Sequence, residues 1–408
     1  MRNRDVLVAR WRSVLAAGHF ANGENLFVAR DRSRDRPHVL FIDHYVPQPD
    51  RDAGSRSIFD FLRTFLERGF RVTLWPENQH YDRVYVERLQ RMGVEVVYAL
   101  ARGRDLGAWL DDAGGALGYV FLSRPQVARH VMATVRRHTA AKVLFYGHDL
   151  HWQRLELEYQ ATGNPALPAH IRDLRELEIA MCAAADAVFY PSEAECAVVR
   201  REVDPPAFML PMGAFDTPGG EREDGADDAR QLLFVGGFAH APNVDGVEWF
   251  IAEIWPQLLR RDPALRLTVA GSNPPERIMN LASAEVSVTG WLSADDLAAL
   301  YARAGVAVVP LRFGGGVKGK VLEAFASGVP VVTTSVGVQG IPDAAQLAFV
   351  ADDAAAFAEG VLLAVGNREL AARKSAAARD FVRCRYSLAA IARQLSGVVF
   401  EFKTQPIE

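Results

Sequence analysis

The sequence predicts an α/β protein with two Rossmann-like, doubly wound domains. Short runs of Val, Ile, Leu and Phe alternate with segments of helical period, which is typical of parallel strands buried on both faces. The series of runs occurs twice, and a stretch rich in Gly, Asp and Glu separates the two series. A chain of 408 residues also suits two domains of roughly 150 to 200 residues. Two such domains imply a cleft between them.

Composition and charge exclude several classes of protein. Half of the residues are apolar, 24% are charged, and a net charge of −4 provides no global attraction to nucleic acid. Cys182, Cys196 and Cys384 share no short spacing, so neither a disulfide framework nor a zinc site is indicated. No apolar run reaches roughly 18 residues, and the N-terminus lacks the pattern of a signal peptide. We therefore expect a cytoplasmic protein.

The first 36 residues form an Arg-rich leader. Its arginines are Arg2, Arg4, Arg10, Arg12, Arg30, Arg32, Arg34 and Arg36. A solvated leader would explain them. Contact with a partner, or peripherally with the inner face of the membrane, is the alternative that stays open.

The first domain is predicted over residues 37–213. Its expected strands are HVLFID (38–43), RVTLWP (71–76), VEVVYA (94–99), GYVFLS (118–123), KVLFYG (142–147) and AVFYPS (187–192). A helix is predicted from Ser57 to Arg68, between the first two strands. The Gly-, Asp- and Glu-rich stretch from Asp216 to Asp228 predicts a linker over 214–230.

The second domain is predicted over residues 231–385. Its expected strands are QLLFVGG (231–237), RLTVAG (266–271), VSVTGW (286–291), VAVVPL (306–311) and PVVTT (330–334). An amphipathic helix is expected from Asp245 to Arg261, with Trp249 and Trp255 in the core. Residues 386–408 are expected to form a helical tail. Ligands of such sheets bind at the carboxyl ends of the strands, so the site is expected in the cleft.

A strand, a glycine loop and a helix follow one another between Val306 and Gly328. Gly314, Gly315 and Gly316 allow a tight turn whose N–H groups can approach a phosphate, and the helix that opens near Val317 adds its unpaired donors. The cationic side chains nearby are Arg312, Lys318 and Lys320. The segment predicts a diphosphate site, although a flexible turn with solvated lysines is the alternative.

Glu323 lies one and a half turns into the same helix, between apolar positions. Its carboxylate could accept hydrogen bonds from a ribose diol. A structural ion pair with Lys318 or Lys320 is the alternative that the residues alone leave open.

His148 and Asp149 directly follow the strand that ends at Gly147. They lie at the carboxyl edge of the first sheet, where imidazole could accept a proton from an acceptor hydroxyl and Asp149 could fix its tautomer. His44 and His151 are weaker candidates for that role. A loop histidine that caps a helix or contacts water would explain the same residues.

No metal and no cofactor are expected. Adjacent acidic pairs occur at 111–112, 227–228, 295–296 and 352–353. The last two pairs lie where helices should begin, so capping explains them better than metal ligation. The linker pair is expected to be solvated. Cationic side chains and the helix dipole should therefore neutralise a diphosphate.

The segment from Val306 to Thr334 resembles the donor-binding half of the retaining GT-B fold glycosyltransferases of family 4, or glycosyl transferases group 1. The resemblance extends backward through residues 232–250, 269–275 and 288–311, so it covers nearly all of the second domain. The first domain matches more loosely, through VLFIDHYVPQPDRDAGSRS (39–57). The leader looks like the segment that joins such transferases to an upstream enzyme module.

The resemblance implies two domains facing each other across a cleft and a hexosyltransferase-like enzyme in surface polysaccharide or glycolipid assembly. It would take a sugar from a nucleotide-sugar donor to a carbohydrate or glycolipid acceptor. The implied catalytic residues are His148, Asp149 and Lys318. Donor binding is assigned to Gly54, Arg56, Gly237, Gly290, Trp291, Leu292, Arg312, Gly314, Gly315, Gly316, Val317, Lys318, Lys320 and Glu323, of which 290–292 should approach the nucleobase and Glu323 the ribose.

Two departures from the family pattern bear on the sugar. Gly315 stands where many relatives carry the first Glu of a paired motif, and FAHAPNVDG replaces the segment in which relatives carry an Arg and a Lys. The diphosphate charge then falls to Lys318, Lys320, Arg312 or Arg56. A nucleotide-sugar epimerase of the same architecture and a non-catalytic nucleotide-sugar-binding scaffold are the alternative functions.

Overall fold

A computed structural model describes residues 2–21, 36–98, 105–215 and 229–399. The leader arginines at 30, 32 and 34, most of the predicted linker and the acidic pair at 227–228 lie outside these ranges. Within them the chain forms two parallel sheets of seven and six strands, each covered by helices on both faces. The predicted α/β class with two doubly wound sheets is confirmed.

The first sheet has the strand order β3-β2-β1-β4-β5-β6-β7, and all its pairs are parallel. The strands are β1 His38–Asp43, β2 Arg71–Pro76, β3 Glu95–Val96, β4 Tyr119–Ser123, β5 Lys142–Tyr146, β6 Ala187–Tyr190 and β7 Ala207–Met209. The helices are α1 Arg2–Arg10, α2 Arg12–Gly18, α3 Ala53–Glu67, α4 Arg83–Met92, α5 Leu106–Ala113, α6 Pro125–His138, α7 His151–Thr162, α8 Leu167–Ala184 and α9 Glu193–Val199. A short 3₁₀ turn covers Gly114–Ala116.

The second sheet has the order β10-β9-β8-β11-β12-β13, again all parallel. Its strands are β8 Gln231–Val235, β9 Arg266–Ala270, β10 Val286–Gly290, β11 Val306–Val309, β12 Val331–Thr333 and β13 Phe349–Val350. The helices are α10 Ala241–Trp249, α11 Trp255–Arg261, α12 Glu276–Met279, α13 Ala294–Arg303, α14 Gly319–Ala326, α15 Ala344–Leu347, α16 Ala354–Gly366, α17 Arg368–Arg385 and α18 Leu388–Ser396.

The predicted helix from Asp245 to Arg261 is interrupted. A π-helical segment, Phe250–Ile254, separates α10 from α11. Trp249 and Trp255 are buried on either side of it, which confirms the prediction that this aromatic pair belongs to the core. The wider turn of a π segment lets both helices keep their aromatic side chains on the sheet.

Helix α3 begins at the carboxyl edge of β1, beside the cleft, and returns the chain to the start of β2. Asp52 caps it by accepting a hydrogen bond from the N–H of Ser55 at 2.7 Å. Its apolar face packs into an aromatic cluster in which the rings of Phe65 and Phe121 flank that of Phe41 at 5.3 and 4.7 Å. The N-terminal turn of α3 is thereby fixed at the carboxyl edge of the sheet.

The last helix returns to the first domain. Ile391 and Leu395 of α18 belong to the same buried cluster as α3, and the hydroxyl of Tyr119 donates to the carbonyl oxygen of Val399 at 2.9 Å. The chain therefore connects the two domains twice. Among the described residues, no helix combines the length and apolar character needed to cross a bilayer.

In both sheets the strand order reverses beside the first strand. The switch points lie between β1 and β4 in the first sheet and between β8 and β11 in the second. Loops that leave neighbouring strands in opposite directions open a crevice there. The candidate site is built on these two carboxyl edges.

Candidate active site

The glycine loop of the second domain packs directly against the first domain. A Cβ atom at Gly315 would lie 2.7 Å from Cβ of Arg154, and one at Gly316 would lie 3.1 Å from Cβ of Asp149. Gly314 and Gly316 also have φ angles of +132° and +66°, a left-handed backbone that glycine adopts without strain. Glycine is therefore required here both for the turn and for the close approach of the two domains.

Lys318 holds this loop together. Its Nζ donates to the carbonyl oxygens of Gly315 and Gly316 at 2.9 and 2.5 Å and lies 3.4 Å from that of Gly314. Burial lowers the pKa of Lys318 to about 8, although Asp149 and Glu195 act in the opposite direction. The ammonium group is thus directed to the backbone carbonyls of its own loop.

Lys320 lies at the carboxyl end of β8. Its Nζ donates to Oδ1 of Asn243 and lies 4.6 Å from the centre of the Phe234 ring. Nδ2 of Asn243 donates in turn to the carbonyl oxygen of Gly237 at 2.6 Å. Burial, followed by repulsion from Lys318, lowers the pKa of Lys320 to about 7. A bound anion at this edge would stabilise its charged form.

Glu323 is paired across the cleft. Its Oε1 accepts from Nη1 of Arg56 at 2.6 Å, and its Oε2 lies 3.5 Å from the hydroxyl of Tyr301. Arg56 belongs to α3 of the first domain, and its guanidinium lies 5.3 Å from the centre of the Phe215 ring. Both side chains of the pair keep part of their surface in solvent, at 39% for Arg56 and 27% for Glu323. The ion partner is therefore Arg56, in place of the two lysines considered from the sequence.

His148 follows β5 in a left-handed backbone conformation, with φ at +66°. Its Nε2 and the hydroxyl of Ser123 are 2.6 Å apart. Burial lowers the pKa of His148 well below its ordinary value, and the nearby Arg124 guanidinium lowers it further. Both effects favour the neutral form of the imidazole.

Asp149 does not contact the His148 ring, although the sequence suggested that it could fix the tautomer. Its Oδ2 accepts from Nη1 of Arg154 at 2.8 Å, and its Oδ1 lies 3.4 Å from Nδ1 of His151. The hydroxyl of Ser123 contacts the His148 ring instead. The side chain that follows a strand end can point away from its neighbour, and adjacency in sequence does not reveal this.

Arg124 and Asp43 were not identified from the sequence. Nε of Arg124 donates to Oδ1 of Asp43 at 3.0 Å, and burial raises the pKa of that carboxyl group. A Cβ atom at Gly54 would lie 2.7 Å from Nη2 of Arg124 and 3.3 Å from Cε1 of His148. Gly54 therefore leaves the space that these two side chains occupy. The Arg-Pro pair directly after β4 was the only local signal for Arg124.

Glu195 is a second carboxyl group that the sequence did not single out. It is buried beside the glycine loop, where its Oε1 accepts from the N–H of Leu150 at 3.1 Å and its Oε2 from the hydroxyl of Ser192 at 2.6 Å. Burial raises its pKa to about 7. It fixes the segment after β5 that faces the loop.

The remaining predicted residues lie at the periphery of the cleft. Nε of Arg312 donates to Oδ2 of Asp245 at 2.9 Å, in an ion pair near the surface. Gly290 ends β10 with φ at +75°, Trp291 is 60% exposed, and Leu292 packs partly against the core. Val317 is buried at the base of the loop.

The acidic pairs at 295–296 and 352–353 lie at helix N-termini, as predicted. Oδ1 of Asp353 accepts from the N–H of Ala356 at 2.8 Å at the start of α16. Ser293 caps α13, and its hydroxyl donates to Oδ2 of Asp296 at 2.6 Å. Within the described ranges, no group of three or more His, Cys, Asp or Glu side chains is arranged to hold a metal ion.

Comparison with known proteins identifies the second domain. Residues 229–367 match the family model of glycosyl transferases group 1. An uncharacterized 44.6 kDa protein in the cps region of Klebsiella pneumoniae is 26% identical over 139 residues, which make up 32% of this chain and 36% of that protein. The match to this curated relative thus spans about a third of its length.

Solved structures share the architecture of both domains. Sucrose-phosphate synthase from Thermosynechococcus elongatus superposes with a TM-score of 0.68 at 19% identity, covering 90% of this chain and 99% of that one. Anabaena HepE, solved in complex with UDP-glucose, superposes with a TM-score of 0.65 at 12% identity, covering 90% and 100%. At these identities the likeness establishes the fold.

Proposed function

We propose that this protein, which has the GT-B fold and a group 1 glycosyltransferase domain, transfers a sugar from a nucleoside diphosphate sugar to an acceptor hydroxyl. One observation carries the proposal. The glycine loop of the group 1 domain lies against Asp149 and Arg154, which follow His148 in the first domain, and Glu323 of α14 pairs with Arg56 of that domain. These contacts support a site in which the second domain binds the donor anion and the first domain supplies a base.

The nucleoside would bind first along the edge of the second sheet. The exposed ring of Trp291 and the turn at Gly290 are available to a nucleobase, and the Glu323 carboxylate to the ribose diol. Glu323 cannot accept fully from a ribose while Oε1 is held by Arg56 at 2.6 Å. We therefore infer that donor binding transfers the Arg56 guanidinium from Glu323 to the diphosphate.

The diphosphate would lie against the first turn of α14, which carries Lys320. Phosphate stabilises the charged form of Lys320, and the first N–H groups of the helix add donors and partial positive charge. Lys318 would support this site indirectly by holding the loop carbonyls. We infer that these groups and Arg56 neutralise the leaving diphosphate without a metal ion.

His148 would act at the sugar and the acceptor. Its neutral imidazole can accept the proton of an acceptor hydroxyl or a hydrogen bond from the donor sugar, and Ser123 holds the ring in place. Closure of the cleft would exclude water and so limit hydrolysis of the donor. We propose transfer with retention of anomeric configuration, in surface polysaccharide or glycolipid assembly, and the relative in a cps region supports that setting.

The first experiment is a thermal-shift panel of nucleotides and nucleotide sugars with a chelator present. UDP and UDP-glucose come first because HepE was solved with UDP-glucose, followed by GDP, ADP, dTDP and CMP with their sugar conjugates. A ligand at about 100 times its Kd stabilises a protein by roughly 2.7 kcal/mol, which shifts Tm by a few degrees. We expect one nucleoside diphosphate to stabilise the protein without metal.

Two matched variants connect that shift to the site. Glu323→Gln should remove most of the stabilisation, whereas Glu276→Gln, at an exposed position of the same domain, should retain it. Absence of any shift at millimolar ligand would contradict the donor site. Conversion of the bound sugar without an acceptor would indicate the epimerase, and tight binding without turnover on any acceptor would indicate the scaffold.

A further inference from the structure

The first two helices present large apolar side chains to solvent. Every residue from 4 to 14 is exposed. The exposed fractions are 58% for Leu7, 48% for Trp11 and 53% for Val14. Folded domains leave such groups exposed singly, whereas a contiguous set of them marks an interaction surface. This set is called the N-terminal apolar face below.

The backbone places these three side chains on one side. The N–H of Trp11 donates to the carbonyl oxygen of Leu7 at 3.0 Å, and that of Leu15 donates to the carbonyl oxygen of Trp11 at 2.8 Å. The first bond closes the end of α1 and the second opens α2, and Trp11 lies between the two helices with φ at −108° and ψ at 17°. Trp11 lies one turn after Leu7 at the end of α1 and is also the N-cap residue of α2, whose first turn contains Val14, so the three side chains form a stripe around this junction.

Arginines border the stripe. Arg10 and Arg12 are the sequence neighbours of Trp11, and the Arg10 guanidinium lies 6.0 Å from the centre of the Trp11 ring. Arg4 lies one turn before Leu7, and Asp5 is the acidic residue of this segment. The segment is thus net positive in a chain whose overall charge is −4. Its surface is basic and apolar at the same time.

We propose that the N-terminal apolar face binds the surface of a membrane that contains anionic lipids. A helix lying in the interface buries Leu, Val and Trp at the level of the headgroups, while flanking arginines extend to the phosphates. An anionic membrane would contact both parts of this surface. Its acyl region would take up the apolar stripe, and its headgroups would attract the arginines. The alternative of a solvated leader leaves three large apolar side chains without a role.

Vesicle sedimentation of the full chain tests the proposal without any sugar, so its outcome is separate from that of the proposed transfer. The protein should sediment with vesicles of phosphatidylglycerol and phosphatidylcholine and remain in the supernatant with phosphatidylcholine alone. Binding should weaken strongly when salt is raised from about 0.1 M to about 0.5 M, because salt screens surface charges.

Two sets of variants test the two parts of the surface. Leu7→Gln with Trp11→Gln should abolish binding, whereas Val84→Gln, at a residue that is 71% exposed on α4, should not affect it. The triple variant Arg4→Gln, Arg10→Gln and Arg12→Gln should weaken binding by roughly fivefold per arginine. A triple variant at exposed arginines elsewhere, Arg129→Gln, Arg137→Gln and Arg260→Gln, is the matched control.

Three results would overturn the proposal. The first is a chain that stays in the supernatant at every lipid concentration, and the second is sedimentation that the Leu7 and Trp11 variant retains. The third is a dimer, seen by analytical ultracentrifugation, that this variant dissociates while vesicle binding is absent. That last outcome would assign the face to a second copy of the chain.

Discussion

The carboxyl edges of the two sheets are built differently. A glycine loop exposes its backbone to the cleft at the second sheet, whereas two large side chains face the cleft at the first sheet. The second edge is formed by three consecutive glycines whose carbonyl oxygens are held by Lys318. The first edge is formed by Arg124 and His148, both non-glycine residues with left-handed φ angles of +69° and +66°. They are supported by Asp43 and Ser123 through hydrogen bonds of 3.0 and 2.6 Å.

The difference shows where each edge takes its conformation from. Glycine adopts a left-handed backbone without steric cost, so the second edge can form from local sequence. A non-glycine residue in that region costs on the order of 1 kcal/mol or more, and it persists only where surrounding contacts hold it. The edge proposed to bind the donor is therefore encoded locally, and the edge proposed to face the acceptor depends on packing from several strands.

Of all the substitutions, one at His148 is expected to have the largest effect, a loss of turnover. His148→Asn keeps a residue that tolerates a left-handed backbone and removes the basic nitrogen, so turnover should fall roughly 100-fold to 10,000-fold. Donor affinity and Tm should change little. Steady-state kinetics and thermal shift measure both, with His170→Asn on the surface of α8 as control. Unchanged turnover would remove His148 from the mechanism.

A substitution that separates the domains at the glycine loop is expected to have the next largest effect, on donor affinity. In Gly315→Ala the new Cβ would lie 2.7 Å from Cβ of Arg154, so the domains must move apart, and donor affinity should fall roughly tenfold or more. Adding Arg154→Gly should restore part of the affinity. Calorimetry with the identified nucleotide measures it, and Gly115→Ala, where a Cβ meets open space, is the control. A full-affinity Gly315→Ala protein would show that the two edges need not approach.

The pH dependence of donor binding tests Lys320. Its pKa is about 7 in the folded protein against an ordinary 10.5, so between these values the unfolded chain binds more protons and this group makes stability rise with pH. A diphosphate favours the charged amine. Donor binding should therefore take up a proton at pH 8, and affinity should fall above pH 7 by up to about tenfold per pH unit.

Calorimetry at pH 8 in two buffers of different ionisation enthalpy measures the proton uptake. Lys320→Gln should reduce it, whereas Lys142→Gln, at an exposed position of β5, should not. A smaller uptake of the same sign can remain, because the pKa of Lys318 is also lowered, to about 8. Equal heats in the two buffers for the unaltered protein would place the diphosphate away from Lys320.

The smallest effect is expected at Arg312. Its guanidinium is paired with Asp245 at the surface, and exposed ion pairs contribute about 0 to 1 kcal/mol. Arg312→Gln should change donor affinity less than about twofold and Tm only slightly. A tenfold loss of affinity would show that this pair opens to reach the diphosphate, as the sequence suggested.

The sequence predicted the fold more completely than the site. Apolar runs located eleven of the thirteen strands among the described residues, and residues 229–367 match the family model of glycosyl transferases group 1. The run VEVVYA supplies only Glu95–Val96 to the sheet, and Ala207–Met209 and Phe349–Val350 were not predicted. Edge strands of two or three residues are too short to show a period.

The roles assigned to site residues stay predictions. Which of these residues lie close together could be predicted from the sequence for one group and not for another. The glycines at 314–316, Lys318, Lys320 and Glu323 lie within ten residues, and their proximity follows from a loop entering a helix. Arg124, Asp43 and Asn243 were missed, because each is recognisable only through a partner on another element.

The sequence by itself determined two doubly wound sheets, a glycine turn before a helix and the polar residues at the strand ends, because periodicity and glycine content act over short distances. Only the tertiary structure decided that Glu323 pairs with Arg56, 267 residues away, that Ser123 contacts His148 where Asp149 was expected, and that α18 returns to the first domain. The first of these contacts depends on how the two domains pack against each other, and the other two depend on how distant segments pack within the first domain. Packing of that kind follows from the shape and charge of surfaces that are far apart in sequence, which no local pattern contains.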